Sequence, residues 1–167
     1  MIALQIKSTK QIMNALLATE TFDTFFTESV SLTTFSTFHI DGHLEKDFYT
    51  QEEIDALGGT LPVFSCWKEL RPICFSLIKG KKTPVNFRFV LLASDKMLEE
   101  ITSSPACEVA SNLIRSLVLN VRYENGVVTL ITGTSFTTFL LDKSVEQLWD
   151  NYIKSFLAAL QIDFEIL

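Results

Sequence analysis

The amino-acid sequence predicts one α+β domain over residues 1–167, in which an antiparallel sheet packs against a central and a C-terminal helix. Three observations lead to this fold class. The chain has the length of about one domain, and 47% of its residues are hydrophobic, as in a folded globule. Several segments alternate apolar and polar residues, which is typical of half-buried strands. Other segments repeat apolar residues every three or four positions, which is typical of helices.

The first half of the chain predicts a strand, a helix, a second strand and a hairpin. Residues 2–6 are apolar and precede a serine that is a natural helix N-cap, followed by apolar residues at helical spacing. Residues 29–40 alternate in polarity and predict one long strand. Asp41 and Gly42 form a strong hairpin turn signal, so we expect residues 43–49 to return as the partner strand.

The second half predicts the same order of elements. Residues 85–93 read as a strand and residues 94–102 as a helix with a serine N-cap. An alternating segment then reaches Asn125 and Gly126, a second hairpin signal, and two strands follow, the last over residues 135–141.

The two halves therefore predict similar strand-helix-strand-hairpin units at residues 1–49 and 85–141. A pseudo-repeat is one interpretation. The other, which we favour because residue identity between the halves is low, is a coincidence among common α+β elements.

Two further helices lie outside these units. Residues 65–80 have apolar residues at spacings of three and four and predict a central helix. Pro72 lies either inside this helix or in its first turn, if the helix begins near Arg71. The C-terminal segment carries a long apolar stripe, and Ser144 with Gln147 predicts a capping box. The stripe packs either on the sheet or on a second subunit as a homodimer.

Two histidines lie near the predicted hairpin and raise the question of a metal site. A three-residue loop ending at Gly42 pairs His39 with His43, whereas a two-residue loop places them on opposite faces. We favour the three-residue loop because it keeps the apolar residues on one face. His39, His43 and Glu45 would suit zinc or iron, but a hairpin tip lacks the hydrogen bonds that orient metal ligands. We therefore expect a solvated polar face and no metal.

The basic side chains of the chain concentrate in residues 71–89. One interpretation is a pocket for phosphate, a nucleotide or another anion. The other is a solvated helix C-terminus, where cations complement the helix dipole. The glycine spacing of a phosphate-binding P-loop is absent. The candidate residues are Arg71, Lys79, Lys81, Lys82 and Arg88.

Charge and cysteine usage exclude several classes of protein. The net charge of −6 disfavours nucleic-acid binding through the whole surface. Cys66, Cys74 and Cys107 are too widely spaced for a zinc ribbon and read as reduced thiols. The chain has no run of apolar residues that would cross a bilayer and no secretion signal, so we expect a cytoplasmic protein without membrane association. No motif is typical of an enzyme, and we expect no cofactor.

Five stretches resemble a known family: residues 21–42 (TFDTFFTESVSLTTFSTFHIDG), 46–50 (KDFYT), 71–90 (RPICFSLIKGKKTPVNFRFV), 122–135 (RYENGVVTLITGTS) and 141–153 (LDKSVEQLWDNYI). They are similar to a small family of uncharacterised proteins from anaerobic, mostly gut-dwelling Firmicutes, known as a domain of unknown function. The resemblance covers nearly the whole chain. It implies a stand-alone bacterial cytosolic domain and provides no activity or catalytic residue to carry over.

A second likeness concerns the fold alone. The strand series of residues 118–141 is similar to that of one domain of a DNA polymerase processivity clamp. The chain departs from that pattern by its two extra helices, and few cations would face the DNA. Fold analogy is a poor guide to function.

From the sequence we expect a non-catalytic binding or interaction module that acts on a protein partner or an anionic ligand. It would use either the basic segment or an exposed face of the sheet. The alternative is a binding protein or an enzyme for a phosphorylated small molecule, or for a nucleic-acid backbone, that uses residues 71–88.

Overall fold

Eight strands form one antiparallel sheet in this protein, and five α-helices complete the fold. The computed structural model describes residues 1–167 and confirms the α+β fold class. The strands are β1 (Ala3–Ile6), β2 (Phe26–Thr33), β3 (Thr37–Asp41), β4 (Ser65–Cys66), β5 (Asn86–Leu92), β6 (Ile114–Glu124), β7 (Val127–Phe136) and β8 (Phe164–Ile166). The helices are α1 (Thr9–Met13), which continues as a π-helical turn (Asn14–Ala18), α2 (Gln51–Ala56), α3 (Trp67–Ile78), α4 (Asp95–Thr102) and α5 (Ser144–Ala159).

The strand order across the sheet is β3-β2-β5-β6-β7-β1-β8, and β4 pairs with the other end of β2. Every neighbouring pair is antiparallel. None of the helices has the length and apolar composition needed to span a lipid bilayer.

Four of the five helices pack on the same face of the sheet. Alternate strand residues and the buried residues of α1, α3, α4 and α5 form a single core cluster. The members of that cluster from the central strands include Leu32, Phe89 and Leu119. Val90 and Leu92 point to the opposite face of β5 and lie outside the cluster, although they are only 8% and 6% exposed. The sheet therefore has a core face and an opposite face, the open face, on which none of these four helices packs.

A buried tryptophan anchors α3 and another anchors α5, the central and C-terminal helices that the sequence predicted. The indole N–H of Trp67 in α3 donates to the carbonyl oxygen of Leu16 at 2.8 Å. The indole N–H of Trp149 in α5 donates to the carbonyl oxygen of Val118 at 2.9 Å. Because both rings are fully buried, each bond satisfies a polar group inside the core. The apolar stripe of α5 therefore packs on the sheet of its own chain, the first of the two predicted alternatives.

The starts of these helices differ from the prediction in two details. Pro72 lies inside α3, so the alternative start near Arg71 is wrong. The ring is on the exposed side of the helix, where the lost N–H bond has the least cost. Ser144 is the first residue of α5 and not its N-cap, so the predicted capping box is wrong. Its hydroxyl donates to Asp142 at 2.5 Å and accepts the backbone N–H of Glu108 at 3.1 Å.

The second half of the chain follows the prediction closely. A strand, a helix capped by Ser94 and a long strand appear in order, and Asn125 and Gly126 form the turn with positive φ angles of 53° and 81°. The separate strand predicted over residues 135–141 is wrong, since β7 runs without a break to Phe136. The last residues of β7 pair with the start of β6. This pairing determines where β7 ends, and it cannot be read from the sequence of β7 itself.

The first half contains the largest error of the sequence prediction. Residues 29–40 form parts of two strands, and the hairpin turns at residues 34–36. The turn residues Thr, Phe and Ser include no glycine, proline or asparagine, so the local sequence carries no turn signal. His39 consequently pairs with Ser31 of β2 and not with His43.

Gly42 has a different role from the one predicted. Its N–H donates to the carbonyl oxygen of Glu28 at 2.9 Å, which keeps the chain against β2 where β3 ends. A Cβ atom at this position would lie 1.7 Å from the carbonyl oxygen of Thr27. Glycine is therefore required for close approach of two backbones and not for a turn.

The predicted return strand over residues 43–49 is consequently wrong. The chain leaves the sheet after Gly42 and comes back at β4, so that β3 and β4 form one interrupted edge along β2. His43 pairs with Phe64, and the N–H of Leu44 donates to Val63 at 3.0 Å, which closes the base of this excursion. We call residues 43–64 the edge excursion.

The two predicted units share their order of elements but not their pairing. Strands β5 and β6 are direct neighbours, whereas β1 lies several strands away from β2. Common ancestry of the two units stays a prediction.

We expect Gly42→Ala to lower the free energy of unfolding by about 3 kcal/mol, because the added methyl group meets backbone that cannot rotate away. Urea denaturation measures the change. Gly133→Ala is the matched control: Gly133 lies within β7 and pairs with Val118 of β6, but the nearest contact of its added Cβ is Val118 Cβ at an ordinary 3.7 Å. Equal stability of the two variants would contradict the close-approach role of Gly42.

Candidate functional site

The structure separates the five basic residues that the sequence grouped together. Arg71 forms a bidentate ion pair with Asp23, from Nε at 2.7 Å and from Nη2 at 2.9 Å. The side chains are only 18% and 10% exposed. The hydrogen bonds to Asp23 raise the pKa of the Arg71 guanidinium. Arg71 thus joins α3 to the loop before β2 and is already occupied within the chain.

The three lysines among these five residues line one groove. Lys79, Lys81 and Lys82 follow the C-terminus of α3 and line a groove of about 260 Å³. Thr9 and Thr83 line the same groove and bring hydroxyl groups to it. The apolar part of the lining includes Met13, Ile78, Phe87 and Tyr123. We call this the lysine groove.

Arg88 lies elsewhere, on the open face of the sheet. It lines a groove of about 740 Å³ that runs over β3, β2, β5 and β6, which we call the sheet-face groove. Nε and Nη2 of Arg88 both donate to Oδ1 of Asn120, at 3.1 and 2.8 Å. These bonds orient the guanidinium and leave its other N–H groups free for a ligand. Other polar residues of the lining are Glu28, Ser29, Ser31, His39, Asp41 and His43.

The register of the sheet places a second arginine directly beside Arg88. Arg122 of β6 is its cross-strand partner, on the same open face. Two like charges in this arrangement are unfavourable for the sheet by themselves. Arg122 also donates to Glu124 at 2.5 Å, which compensates part of the repulsion. The cross-strand row around the pair consists of His39, Ser31, Arg88, Arg122, Thr129, Gln5 and Glu165.

His43 is held in a defined orientation at the edge of the sheet-face groove. Its Nδ1 lies 2.6 Å from Oδ1 of Asp41, and its ring packs on Phe64 with 4.4 Å between the ring centres. The backbone N–H of His43, followed by its ring, lowers the pKa of Asp41. The free Nε2 can therefore act as a hydrogen-bond partner for a ligand.

The histidines do not form the metal set that was considered. No group of three His, Cys, Asp or Glu side chains is arranged so that it could hold a metal ion. Glu45, the third candidate ligand, is not part of the lining around His39 and His43.

A second, apolar groove borders the first. It has a volume of about 540 Å³, and Glu28 lines both grooves. The edge excursion forms one wall and the open face of the sheet forms the floor. We call this the apolar groove, and its lining includes Phe26, Leu61, Val63, Phe64, Leu92 and Leu98, with Arg115 among its polar residues.

The cysteines do not take part in these grooves, and all three are free thiols. Burial raises the pKa of the Cys74 thiol to about 12. Burial also raises the pKa of Cys66. Since a nucleophilic cysteine requires a thiolate, Cys66 and Cys74 lack the property that catalysis would need at neutral pH.

Sequence reasoning missed Arg122, Asn120 and the apolar groove. The signal for Arg122 was present, because it occupies the polar side of a strand that the sequence did predict. Its pairing with Arg88 depends on register between strands more than thirty residues apart, which local patterns do not contain.

A family model described as a family of unknown function (DUF5721) matches residues 15–165 of the chain. No curated protein and no solved structure matches this chain.

We expect Arg71→Gln to lower the free energy of unfolding by about 1–3 kcal/mol, because the mostly buried carboxylate of Asp23 loses its charged partner. Urea denaturation measures this loss. Arg115→Gln removes an exposed arginine and serves as the control, with an expected change within about 0.5 kcal/mol. An unchanged midpoint for Arg71→Gln would show that the ion pair does not stabilise the fold.

Proposed function

Because the chain belongs to DUF5721, a family of unknown function, we infer its role from geometry, and we propose that it is a non-catalytic interaction module. It binds an acidic segment of a partner protein in the sheet-face groove. The observation that carries this proposal is the cross-strand pair of Arg88 and Arg122 on the open face.

The arginine pair favours a ligand with carboxylate groups. Guanidinium groups bind carboxylates through two parallel hydrogen bonds. An acidic side chain that binds Arg88 in the groove, close to Arg122 beside the groove, would offset the repulsion between the two positive charges. Binding then regains a free energy that the folded sheet has lost. His39 and Ser31 extend the row and offer further hydrogen bonds to the same segment.

The composition of the row favours a peptide over a nucleic acid. None of its seven residues is Phe, Tyr or Trp, so the row offers unpaired bases no stacking platform of the kind that sheet-based RNA readers use. The net charge of −6 opposes a long polyanion as well. The free thiols fit a reducing cytosol, where we place the protein.

A selection experiment tests the proposal. Random dodecapeptides displayed on phage are selected on the purified full-length chain, and synthetic copies are titrated by fluorescence anisotropy. We expect the enriched peptides to contain Asp or Glu. We also expect the double substitution of Arg88→Gln and Arg122→Gln to lower their affinity at least about tenfold, because it removes both charged donors.

The charge-matched control is the double substitution of Lys81→Gln and Lys82→Gln, which removes the same charge outside the groove and is expected to leave the affinity within about twofold. Thermal unfolding establishes that both variants are folded. Enrichment of peptides without acidic residues, no enrichment over the bare support, or equal losses in both variants would each contradict the proposal.

The lysine groove supports a second candidate function, the binding of a phosphorylated small molecule. The favouring observation is that three lysines and two threonines line one small groove. Ammonium and hydroxyl groups are suitable donors to phosphate oxygens. The lining residues of the lysine groove do not indicate a particular reaction, so this second candidate function is binding alone.

We expect inorganic pyrophosphate to shift the backbone amide resonances of Gly80, Lys81 and Lys82 in nuclear magnetic resonance spectra, if this second function holds. The substitutions Lys81→Gln and Lys82→Gln should then remove the shifts, since they delete the cations. Arg88→Gln with Arg122→Gln is the reciprocal control and should leave them unchanged. Shifts that are absent, or that persist in the lysine variant, would rule out the lysine groove as a phosphate site.

A further inference from the structure

The sheet-face groove and the apolar groove lie along the same strands. Arg88 and Leu92 occupy the open face of β5, four positions apart. Since a strand rises about 3.3 Å per residue, their Cα atoms lie about 13 Å apart. Val90 fills the position between them. One extended ligand running along β5 would therefore pass from the arginine pair into the apolar groove.

The apolar groove has the dimensions and lining of a pocket for a bulky side chain. Leu92 at its floor is 6% exposed, whereas Val63 at its rim is 65% exposed. Phe26 and Phe64 complete the apolar walls. An exposed apolar rim over a buried apolar floor gains stability when another apolar side chain removes it from water.

The charges along this path define what the ligand must carry. The arginine pair at one end attracts a carboxylate, while Glu28 between the two grooves and Asp41 at the edge of the sheet-face groove repel one. A second acidic residue is disfavoured at the middle of the segment. Along β5, a ligand would therefore meet the cationic arginine pair first, then the acidic Glu28, and then the apolar groove.

We propose that the partner segment binds in an extended conformation and carries a bulky apolar residue about four positions from its arginine-bound acidic residue. This inference rests on the proposed function and deepens it, because it names the pattern that the groove selects. An even spacing is required, since successive side chains of an extended peptide point to opposite sides. A spacing of three would direct the apolar side chain away from the sheet.

Synthetic peptides test the spacing directly. Labelled serine-glycine peptides carry one Glu and one Leu separated by three, four or five positions, and fluorescence anisotropy measures their affinity for the full-length chain. The peptide with a spacing of four is expected to bind at least about fivefold more tightly than the other two. Equal affinities across the series, or no detectable binding of any peptide, would overturn the inference.

A substitution in the apolar groove provides the matching test on the protein. Val63→Asp is expected to weaken the peptide with a spacing of four at least about fivefold and to leave its Leu-to-Ala counterpart unchanged. Val85→Asp is the control, since Val85 is 63% exposed and lies outside both grooves. Both variants are surface changes, and thermal unfolding verifies their folds.

The outcomes separate this inference from the proposed function. Loss of binding in the Arg88→Gln and Arg122→Gln variant, together with no effect of Val63→Asp, would overturn the spacing pattern and leave the acidic-segment proposal standing. Binding that is indifferent to the arginines would overturn both. Loss in both variants, with the control unchanged, supports both.

Discussion

The one-sided burial of the sheet is the constraint on which the rest of the structure depends. Alternate residues of the central strands must share one core with α1, α3, α4 and α5, because a sheet face of this apolarity is unstable in water. Trp67 and Trp149 set the positions of two of these helices through hydrogen bonds to backbone. None of these four helices packs on the opposite face, which carries the sheet-face groove and the apolar groove.

The interrupted edge shapes that open face. Because Gly42 lets the backbone pass close to Thr27, β3 can end on β2 while the chain departs and returns as β4. The edge excursion brings Val63 and Phe64 over the sheet and creates the apolar groove next to a polar one. The close contact of Gly42 with Thr27 thus helps to place the apolar groove next to the sheet-face groove.

The arrangement of charge on the open face differs from that of the chain as a whole. The protein is acidic, with a net charge of −6, yet two arginines are paired across neighbouring strands, where Arg88 donates to Asn120 and Arg122 donates to Glu124. Cross-strand repulsion of this kind has a cost for folding, and under the proposed function a bound carboxylate would offset it. Arg71 differs, because its ion pair with Asp23 is mostly buried within the chain.

The sequence by itself determined the fold class, the turn at Asn125 and Gly126, and the two outer helices, because periodic burial and turn chemistry are local properties. It also placed Arg88 and both histidines among the candidate residues. Only the tertiary structure decided that residues 34–36 turn, that Gly42 serves close approach, and that Arg88 meets Arg122 while Arg71 is occupied. These features depend on which distant strand supplies the partner, and strand register is set by packing of the whole sheet.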